Sequence, residues 1–283
     1  MKLLFAAFAS IFWAVQSYAE KRTVSTGVSR RDFFFYSCLS LIPFAAIMLF
    51  LSPFYFTFSY TLALILLASI LLRYGKMTAI VSTVEHLVPY ESEAYMCLGV
   101  ILAYVADCML GIKAFSHWGV LSIILALLGV FLIADIKFQI KRFRINLITR
   151  LVCDVGLGYC ARYVLQYCSN AMYILLLNLM IVLIFGWRYK LDHHKANQGI
   201  IKFVMIQQFL GFICLFLGNI VAQQSVTAYA FIRPISLAMC VVIAFFYKNE
   251  SVLKTISGVP RQPKQKDVIA AALIVTGICL QAV

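Results

Sequence analysis

Residues 176–187 read LLNLMIVLIFGW, an apolar run in which hydrophobic and polar residues do not alternate. A strand of a membrane β-barrel would alternate apolar and polar residues over about ten positions, so this pattern favours a helix. Similar runs recur from residue 3 to residue 283, with no long polar stretch between them. Inside lipid, only helices and closed barrels satisfy their backbone hydrogen bonds. The sequence therefore predicts an all-α polytopic membrane protein.

The composition of the 283-residue chain agrees with this prediction. Hydrophobic residues make up 63% of the chain and charged residues 12%, and the mean hydropathy is +0.94. Soluble domains usually carry about 25% charged residues, so this chain has too few charges to cover a soluble core. A soluble enzyme, a disordered chain and a secreted disulfide scaffold are therefore disfavoured. The nine cysteines lie mostly within apolar segments, which indicates small buried residues.

Division of the chain into apolar spans of about 20 residues predicts ten transmembrane helices. They cover residues 3–19, 33–52, 57–73, 78–106, 118–136, 147–167, 170–187, 200–220, 225–247 and 267–283. The first span also reads as a secretory signal peptide that ends at Ala19, but the internal repeat described below favours a retained helix. The fourth span is long and contains several charges, so it is either broken or wrongly bounded.

The basic residues indicate which gaps between spans face the cytoplasm. Of the 24 Lys and Arg residues, 18 fall in the gaps after the first, third, fifth, seventh and ninth spans. Short cytoplasmic loops are enriched in Lys and Arg, so this bias places those gaps inside and both termini outside. The formal charge of +13 is then an orientation signal and predicts no nucleic-acid partner. We expect a multi-pass protein of the cell (inner) membrane, in contact with its lipids.

The two halves of the chain match each other at an offset of about 145 residues. Pro89 corresponds to Pro234. Residues 13–16 correspond to residues 159–162, and residues 125–132 correspond to residues 273–280. Five helices in each half would invert the second half relative to the first, as in many secondary transporters. The matches predict two inverted five-helix repeats, residues 1–136 and 147–283, within a single integrated membrane domain.

Short motifs distributed over nearly the whole chain carry a family resemblance. They are IFWAVQS at residues 11–17 before Lys21-Arg22, Pro89, Gly129-Val130, Pro234 followed by Glu250, and Gly277-Ile278. With these motifs the sequence resembles the drug/metabolite transporter superfamily, in its ten-helix EamA-like branch. The acidic residue that this family has after the fourth helix has no clear match, and Asp107 is nearest. The resemblance implies a carrier of small organic solutes, often an exporter, and names no solute.

Prolines and charges within the spans predict the solute pathway. A proline inside a helix frees the carbonyl one turn earlier, which must then face protein or a wet cavity. Pro89 and Pro234 are therefore expected beside the pathway, on the outer side of the bilayer middle, unless they only shape curved helices. A charge at the centre of a spanning helix costs about 2.5–3.5 kcal/mol, so its presence favours pairing or function. Glu85, His86 and Arg233 are the strongest candidates.

The chemistry of these three side chains suggests roles in transport. Arg233 is suited to bind a carboxylate or phosphate group of the solute through two parallel hydrogen bonds. Glu85 would neutralise Arg233 in the empty carrier, and Glu85 or His86 would carry a coupling proton. The alternative is a static Glu85–Arg233 ion pair that joins the halves. We expect Glu85→Gln and Arg233→Ala each to abolish transport while leaving the protein folded.

Three further residues are weaker candidates for the same pathway. Trp13 and Tyr229 are aromatic residues that would face either the cavity or the lipid. Arg162 lies deep in the sixth span and corresponds by the repeat to Gln16.

Two further pairs of charges have structural interpretations. Arg150 and Asp154 are four residues apart, so they are expected to form an ion pair within one helix. Glu91 and Glu93 would either line the outer mouth of the pathway or be exposed at a broken helix.

Taken together, these patterns favour a secondary transporter that moves a small organic metabolite by alternating access, as a proton-coupled exporter or an exchanger. The alternatives are a membrane-embedded enzyme or lipid-handling protein, and a structural subunit. An enzyme would need a nucleophile or a metal constellation within the membrane, and the sequence shows neither. We expect no enzymatic activity, no cofactor and no metal. The partner would be a small-molecule solute, and a homodimer is left open.

Overall fold

The computed structural model describes residues 2–133, 141–186, 198–223, 232–246 and 261–280. Within these ranges the protein is all-helical, apart from one isolated β-bridge between Phe56 and Cys168. The helices are α1 (Lys2–Ser25), α2 (Arg30–Leu51), α3 (Tyr60–His86), α4 (Pro89–Met109), α5 (His117–Ile133), α6 (Lys141–Val164), α7 (Asn170–Gly186), α8 (Gln198–Ala222), α9 (Ile232–Phe246) and α10 (Gln265–Cys279). Two segments of α4 meet at Cys97.

Each of the ten predicted spans overlaps one of these helices, in the same order. The main difference between the predicted spans and the helices concerns the boundary between the third and fourth spans, which the sequence analysis placed at residues 74–77. In the structure α3 continues to His86, and α4 begins at Pro89. The predicted boundary was wrong because it treated Arg73 and Lys76 as loop charges, whereas both are buried side chains inside α3.

The end of α3 and the start of α4 follow from Pro89. A proline disfavours the helical conformation of the residue before it, and Val88 is extended, with φ −80° and ψ 160°. Pro89 is the first residue of α4, a position where the missing N–H costs no helical hydrogen bond. Pro234 is the third residue of α9 as described. The expectation that both prolines interrupt the middle of a helix was therefore wrong for Pro89.

The surface of the bundle is apolar and part of its interior is charged. Helices α2, α3, α4 and α8 are long and apolar enough to cross a membrane, as judged from the described residues by length and composition. Large apolar side chains project outward, with Phe50 91%, Leu64 68% and Phe246 82% exposed. Several charged side chains, in contrast, are almost completely buried. This distribution is typical of a protein whose outer surface contacts lipid.

The most extensive helix contacts join the two halves of the chain. The helix pairs with the most extensive contacts are α3–α6, α5–α10, α1–α8 and α2–α7, followed by α1–α9, α2–α8 and α4–α9. If each helix is replaced by the helix five positions away in the chain, α3 becomes α8 and α6 becomes α1. The α3–α6 contact then becomes the α1–α8 contact. The same exchange turns α1–α9 into α4–α6 and α2–α8 into α3–α7, and both of these resulting contacts are less extensive. The exchange therefore relates two of the largest contacts, α3–α6 and α1–α8, and does not relate all of them.

The close contact between α5 and α10 requires a glycine on each helix. A Cβ atom on Gly129 would lie 2.5 Å from Ile274 Cγ1 and 2.7 Å from the carbonyl oxygen of Ala270. A Cβ atom on Gly277 would lie 3.0 Å from the carbonyl oxygen of Ser122. Small residues allow helix backbones to approach closely in this way. Gly129 and Gly277 are also the two glycines that the internal match aligns.

The apolar core has two main parts, and α6 contributes to both. One part packs α4, α5, α9 and α10 together and includes Leu151 of α6. The other packs α2, α3 and α7 together and includes Val164 of α6. Asp154 lies between these two residues along α6, so the fold holds its carboxylate at a fixed place within the bundle.

Candidate functional site

Seven charged side chains are buried where α1, α3, α4, α6 and α9 meet. None is more than 7% exposed: Glu20, Arg73, Lys76, Glu93, Arg150, Asp154 and Arg233. We call these seven residues the charged cluster. A buried charge loses its hydration, so it is stable only when other protein groups replace the lost water.

Asp154 lies at the centre of the charged cluster. It accepts a hydrogen bond from Lys76 of α3 at Oδ1 and one from Arg233 Nη2 of α9 at Oδ2, the latter at 2.6 Å. The other end of the Arg233 guanidinium, Nη1, lies 3.2 Å from Glu93 Oε2 of α4. Ser17 of α1 donates to Glu93 Oε1 at 2.6 Å. Lys76, Asp154, Arg233 and Glu93 therefore form a continuous chain of alternating charge across the bundle.

Arg150 forms the second ion pair of the charged cluster. Its Nη2 lies 3.7 Å from Glu20 Oε2, and its Nη1 donates to Thr83 Oγ1 at 3.0 Å and to Ser92 Oγ at 3.1 Å. The expected ion pair between Arg150 and Asp154 within α6 was wrong, because packed neighbouring helices supply closer partners for both side chains.

Trp13 of α1 lies against two cations of the charged cluster. The centroid of its ring is 4.0 Å from Arg233 Cζ and 5.8 Å from Lys76 Nζ. A cation above the face of an indole ring is attracted by the negative face of the ring. Trp13 therefore helps to hold both cations in place.

A cavity adjoins the charged cluster. Four cations and one carboxylate of the charged cluster line it: Arg73, Lys76, Arg150, Arg233 and Glu20. Its charged lining is therefore predominantly positive.

The remaining lining of this cavity combines amide and apolar groups. Gln16 of α1 and Gln207 and Gln208 of α8 contribute side-chain amides, and Met77 and Leu215 contribute apolar surface. The Oε1 atom of Gln207 is buried and accepts no hydrogen bond from the described residues. The cavity can therefore offer charge, hydrogen bonds and apolar contact to one small molecule.

The structure separates two of the predicted site residues from Arg233. Glu85 and His86 are the last two residues of α3, and Glu85 lies 3.8 Å from Arg30 with a side chain that is 38% exposed. His86 Nδ1 is 2.7 Å from the carbonyl oxygen of Ser82. The alternative of a static Glu85–Arg233 ion pair was wrong, because α3 ends at His86 and Glu85 pairs with Arg30 there.

The other predicted residues fall in different places. Trp13 and Arg233 line the cavity, and Pro234 follows Arg233 in α9. Arg162 is partly buried in α6 and does not line this cavity, whereas Tyr229 lies outside the described residues. Pro89 is buried at the start of α4.

The two glutamates of α4 are not exposed. Glu91 and Glu93 are each 1% exposed, so the expectation of simple exposure at a broken helix was wrong. Glu91 Oε2 accepts a hydrogen bond from Val88 N at 3.0 Å, and Glu91 forms an ion pair with Arg261. Arg261 Nη2 is also 3.5 Å from Asp267 Oδ1, so it ties the start of α4 to the start of α10.

Sequence reasoning did not single out Glu20, Arg73 and Lys76 of the charged cluster, although a signal for them is present. Trp13, Ser17 and Glu20 follow the spacing i, i+4 and i+7, which places them on one face of α1. Arg73 and Lys76 are three residues apart and share a face of α3 in the same way. Polar stripes of this kind on apolar helices indicate a polar interior. Within the described residues, no His, Cys, Asp and Glu side chains form a group of three or more that could hold a metal ion.

Comparison with known proteins concerns the fold alone. No family model matches the chain, and no curated protein matches it. Among solved structures, 27 chains match. One of these, a crystal structure of a protein, superposes with a TM-score of 0.67 over 99% of this chain and 96% of its own length, at 14% sequence identity. The arrangement of the helices is therefore shared with a structure determined by experiment.

Proposed function

We propose that this protein is a multi-pass membrane carrier that moves a small organic solute by alternating access, with the cavity beside the charged cluster as its binding site. The observation that carries the proposal is a charged, cavity-lining cluster inside a helical bundle whose surface is apolar. Buried charges in such a setting are costly and usually mark a pathway for a solute or an ion.

The contacts of the charged cluster suit a carrier built from two halves. Each of its three pairings between the halves, Glu20–Arg150, Lys76–Asp154 and Glu93–Arg233, joins a residue before position 136 to one after position 147. Relative movement of the halves must lengthen or exchange these pairs. A solute that binds the cluster would alter their strength and so shift the balance between two conformations.

An inverted arrangement of two five-helix repeats fits this proposal. The exchange of helices by five positions relates the α3–α6 contact to the α1–α8 contact, and Gly129 and Gly277 lie at one interface from opposite halves. In many secondary transporters with inverted repeats, the solute site lies at the interface of the repeats near the middle of the membrane. The drug/metabolite transporter superfamily, which the sequence resembles, is built in this way.

The proposed placement is the cell (inner) membrane, with ten spans. Exposed aromatic residues in and beside the α2–α3 turn, Phe54, Phe58 and Tyr60, suit one membrane interface. Arg22, Arg30 and other basic residues near the α1–α2 turn suit the cytoplasmic side.

Reconstitution of the purified full-length protein into vesicles tests the proposal. Pools of labelled metabolites are loaded inside, and their exchange with the outside is followed with and without protein. We expect protein-dependent flux of at least one solute. Arg233→Gln should abolish that flux without preventing insertion, whereas Arg144→Gln, at an exposed position of α6, should leave it unchanged. Absence of flux for every pool, or conversion of a solute into a product, would exclude a carrier.

A further inference from the structure

The charged cluster contains one more cation than it has carboxylates. Glu20, Glu93 and Asp154 neutralise Arg150, Arg233 and Lys76 through the ion pairs described above. Arg73 forms no ion pair with any residue that the structure describes. The cluster therefore has a net charge of +1, which resides at Arg73.

The surroundings of Arg73 do not replace the missing carboxylate. Its guanidinium contacts the thiol of Cys38, which is a weak acceptor. Its Nε atom is buried and has no hydrogen-bond partner among the described residues. The side chain is only 5% exposed, so bulk water does not stabilise its charge either. Arg73 Nε is thus a buried donor that no described residue of the chain uses.

Arg73 lies at the place in the bundle where a solute would have to bind. It is thirteen residues from each end of α3 (Tyr60–His86), about 20 Å at 1.5 Å per residue. It lines the cavity beside the charged cluster and also an adjoining cavity, and Lys76 and Leu215 line both as well. Both cavities are therefore accessible to a group held by Arg73.

We propose that Arg73 binds the carboxylate of the transported solute, and that the solute is a small organic monocarboxylate. This inference rests on the proposed function, because it takes the cavity as the solute site. A single negative charge neutralises the excess charge of the cluster, whereas a dianion such as phosphate would leave an unpaired negative charge. A guanidinium binds a carboxylate through two parallel hydrogen bonds.

The rest of the cavity suits the organic part of such a solute. Gln16, Gln207 and Gln208 can bind hydroxyl, carbonyl or amine groups, and Trp13 and Met77 provide apolar contact.

The empty protein provides a first test, because an uncompensated buried charge is unfavourable. Arg73→Gln removes that charge and should raise the midpoint of thermal unfolding of the empty protein, or leave it unchanged. Arg233→Gln should lower the midpoint, because it removes the partner of two carboxylates. A decrease for Arg73→Gln as large as that for Arg233→Gln would show that the charge of Arg73 is compensated, and would overturn the proposal.

Ligand binding provides the second test, with the purified full chain in lipid nanodiscs. The probes are a series of monocarboxylates of two to eight carbons, their neutral primary amides, succinate and inorganic phosphate. We expect at least one monocarboxylate to raise the unfolding midpoint while its amide does not. Its affinity should fall about tenfold or more in Arg73→Gln, partly recover in Arg73→Lys and stay unchanged in Arg144→Gln.

Each other outcome contradicts the inference. The site would belong to another solute class if only phosphate or succinate raised the unfolding midpoint, or if the neutral amide raised it equally. The same conclusion would follow if the increase caused by the monocarboxylate persisted in Arg73→Gln. Binding of a monocarboxylate without flux in vesicles would overturn the carrier function instead. Flux of a neutral solute that leaves Arg73→Gln fully active would overturn the role of Arg73 and leave the carrier function intact.

Discussion

Glu93 Oε2 in the first half of the chain lies 3.2 Å from Arg233 Nη1 in the second half. The two residues are 140 positions apart in the sequence, and each is at most 4% exposed. Their contact joins α4 to α9, and Asp154 extends it to α6. A buried chain of charges therefore joins the two halves within the apolar core of the bundle.

The contact between Glu93 and Arg233 can be measured as a coupling energy. Arg233→Met should lower the free energy of unfolding by about 3–5 kcal/mol, because it leaves buried carboxylates without their cation. Glu93→Gln should lower the free energy of unfolding less in the Arg233→Met variant than in the wild-type protein. Denaturant unfolding in detergent of the wild-type protein, the two single variants and the double variant checks this. Additivity of the two single changes within about 0.5 kcal/mol would contradict a direct interaction.

Glu85 is predicted to be dispensable, in contrast to the expectation from sequence. Its partly exposed pair with Arg30 at 3.8 Å is of a kind that contributes about 0–1 kcal/mol. Glu85→Gln should therefore keep solute flux in vesicles within about twofold of the wild-type value. Glu93→Gln, a change of the same chemistry at a buried position, should abolish it. Equal loss of flux in both variants would return Glu85 to the pathway.

The close approach of α5 and α10 predicts a strong effect of small additions of volume. Gly129→Val and Gly277→Val should each destabilise the protein by about 1–3 kcal/mol, because the added carbons overlap the facing helix. Ala272→Val, at an exposed position of α10, is the matched control and should change little. Thermal unfolding in detergent measures the three variants. Similar thermal unfolding midpoints for all three variants would mean that α5 and α10 can move apart without loss of stability.

The orientation of the chain can be read by chemical labelling. In a variant without the nine native cysteines, Thr26→Cys in the α1–α2 turn should react with a membrane-impermeant maleimide only from the cytoplasmic side. Ile112→Cys in the α4–α5 turn should react only from the outside. The expectation follows from the basic residues near the first turn. Labelling of both positions from one side would refute the alternation of the helices.

Local patterns were sufficient to predict where the helices lie, except at the boundary between the third and fourth spans. Ten apolar runs separated by polar gaps marked ten helices in order, because hydropathy depends only on neighbours in the sequence. The match of Gly129 with Gly277 pointed to an interface that the structure contains. Arg233 and Trp13, two candidates named from the sequence, both line the cavity.

The charged cluster could not be found in the same way. Lys76 was taken as the end of a helix, because a lysine in an apolar stretch usually marks a loop. Its charge is tolerated inside α3 only because Asp154, 78 residues later, lies beside it. Compensation between distant helices is a property of the packed structure, and no pattern near Lys76 reveals it. The same mistake displaced Glu85 from its true position and hid Arg73.

The distance in sequence between Lys76 and Asp154 also has a consequence for how the protein is made. At a synthesis rate of about 5–20 residues per second, α3 leaves the ribosome about 4–16 s before the carboxylate that neutralises Lys76. Arg233 follows 79 residues after Asp154. If these helices enter the membrane in order, the buried charges of the first half have no ion-pair partners until the second half is made. During that time the insertion machinery or water must stabilise them. Newly made chains are therefore most vulnerable to quality-control proteases before α9 is complete.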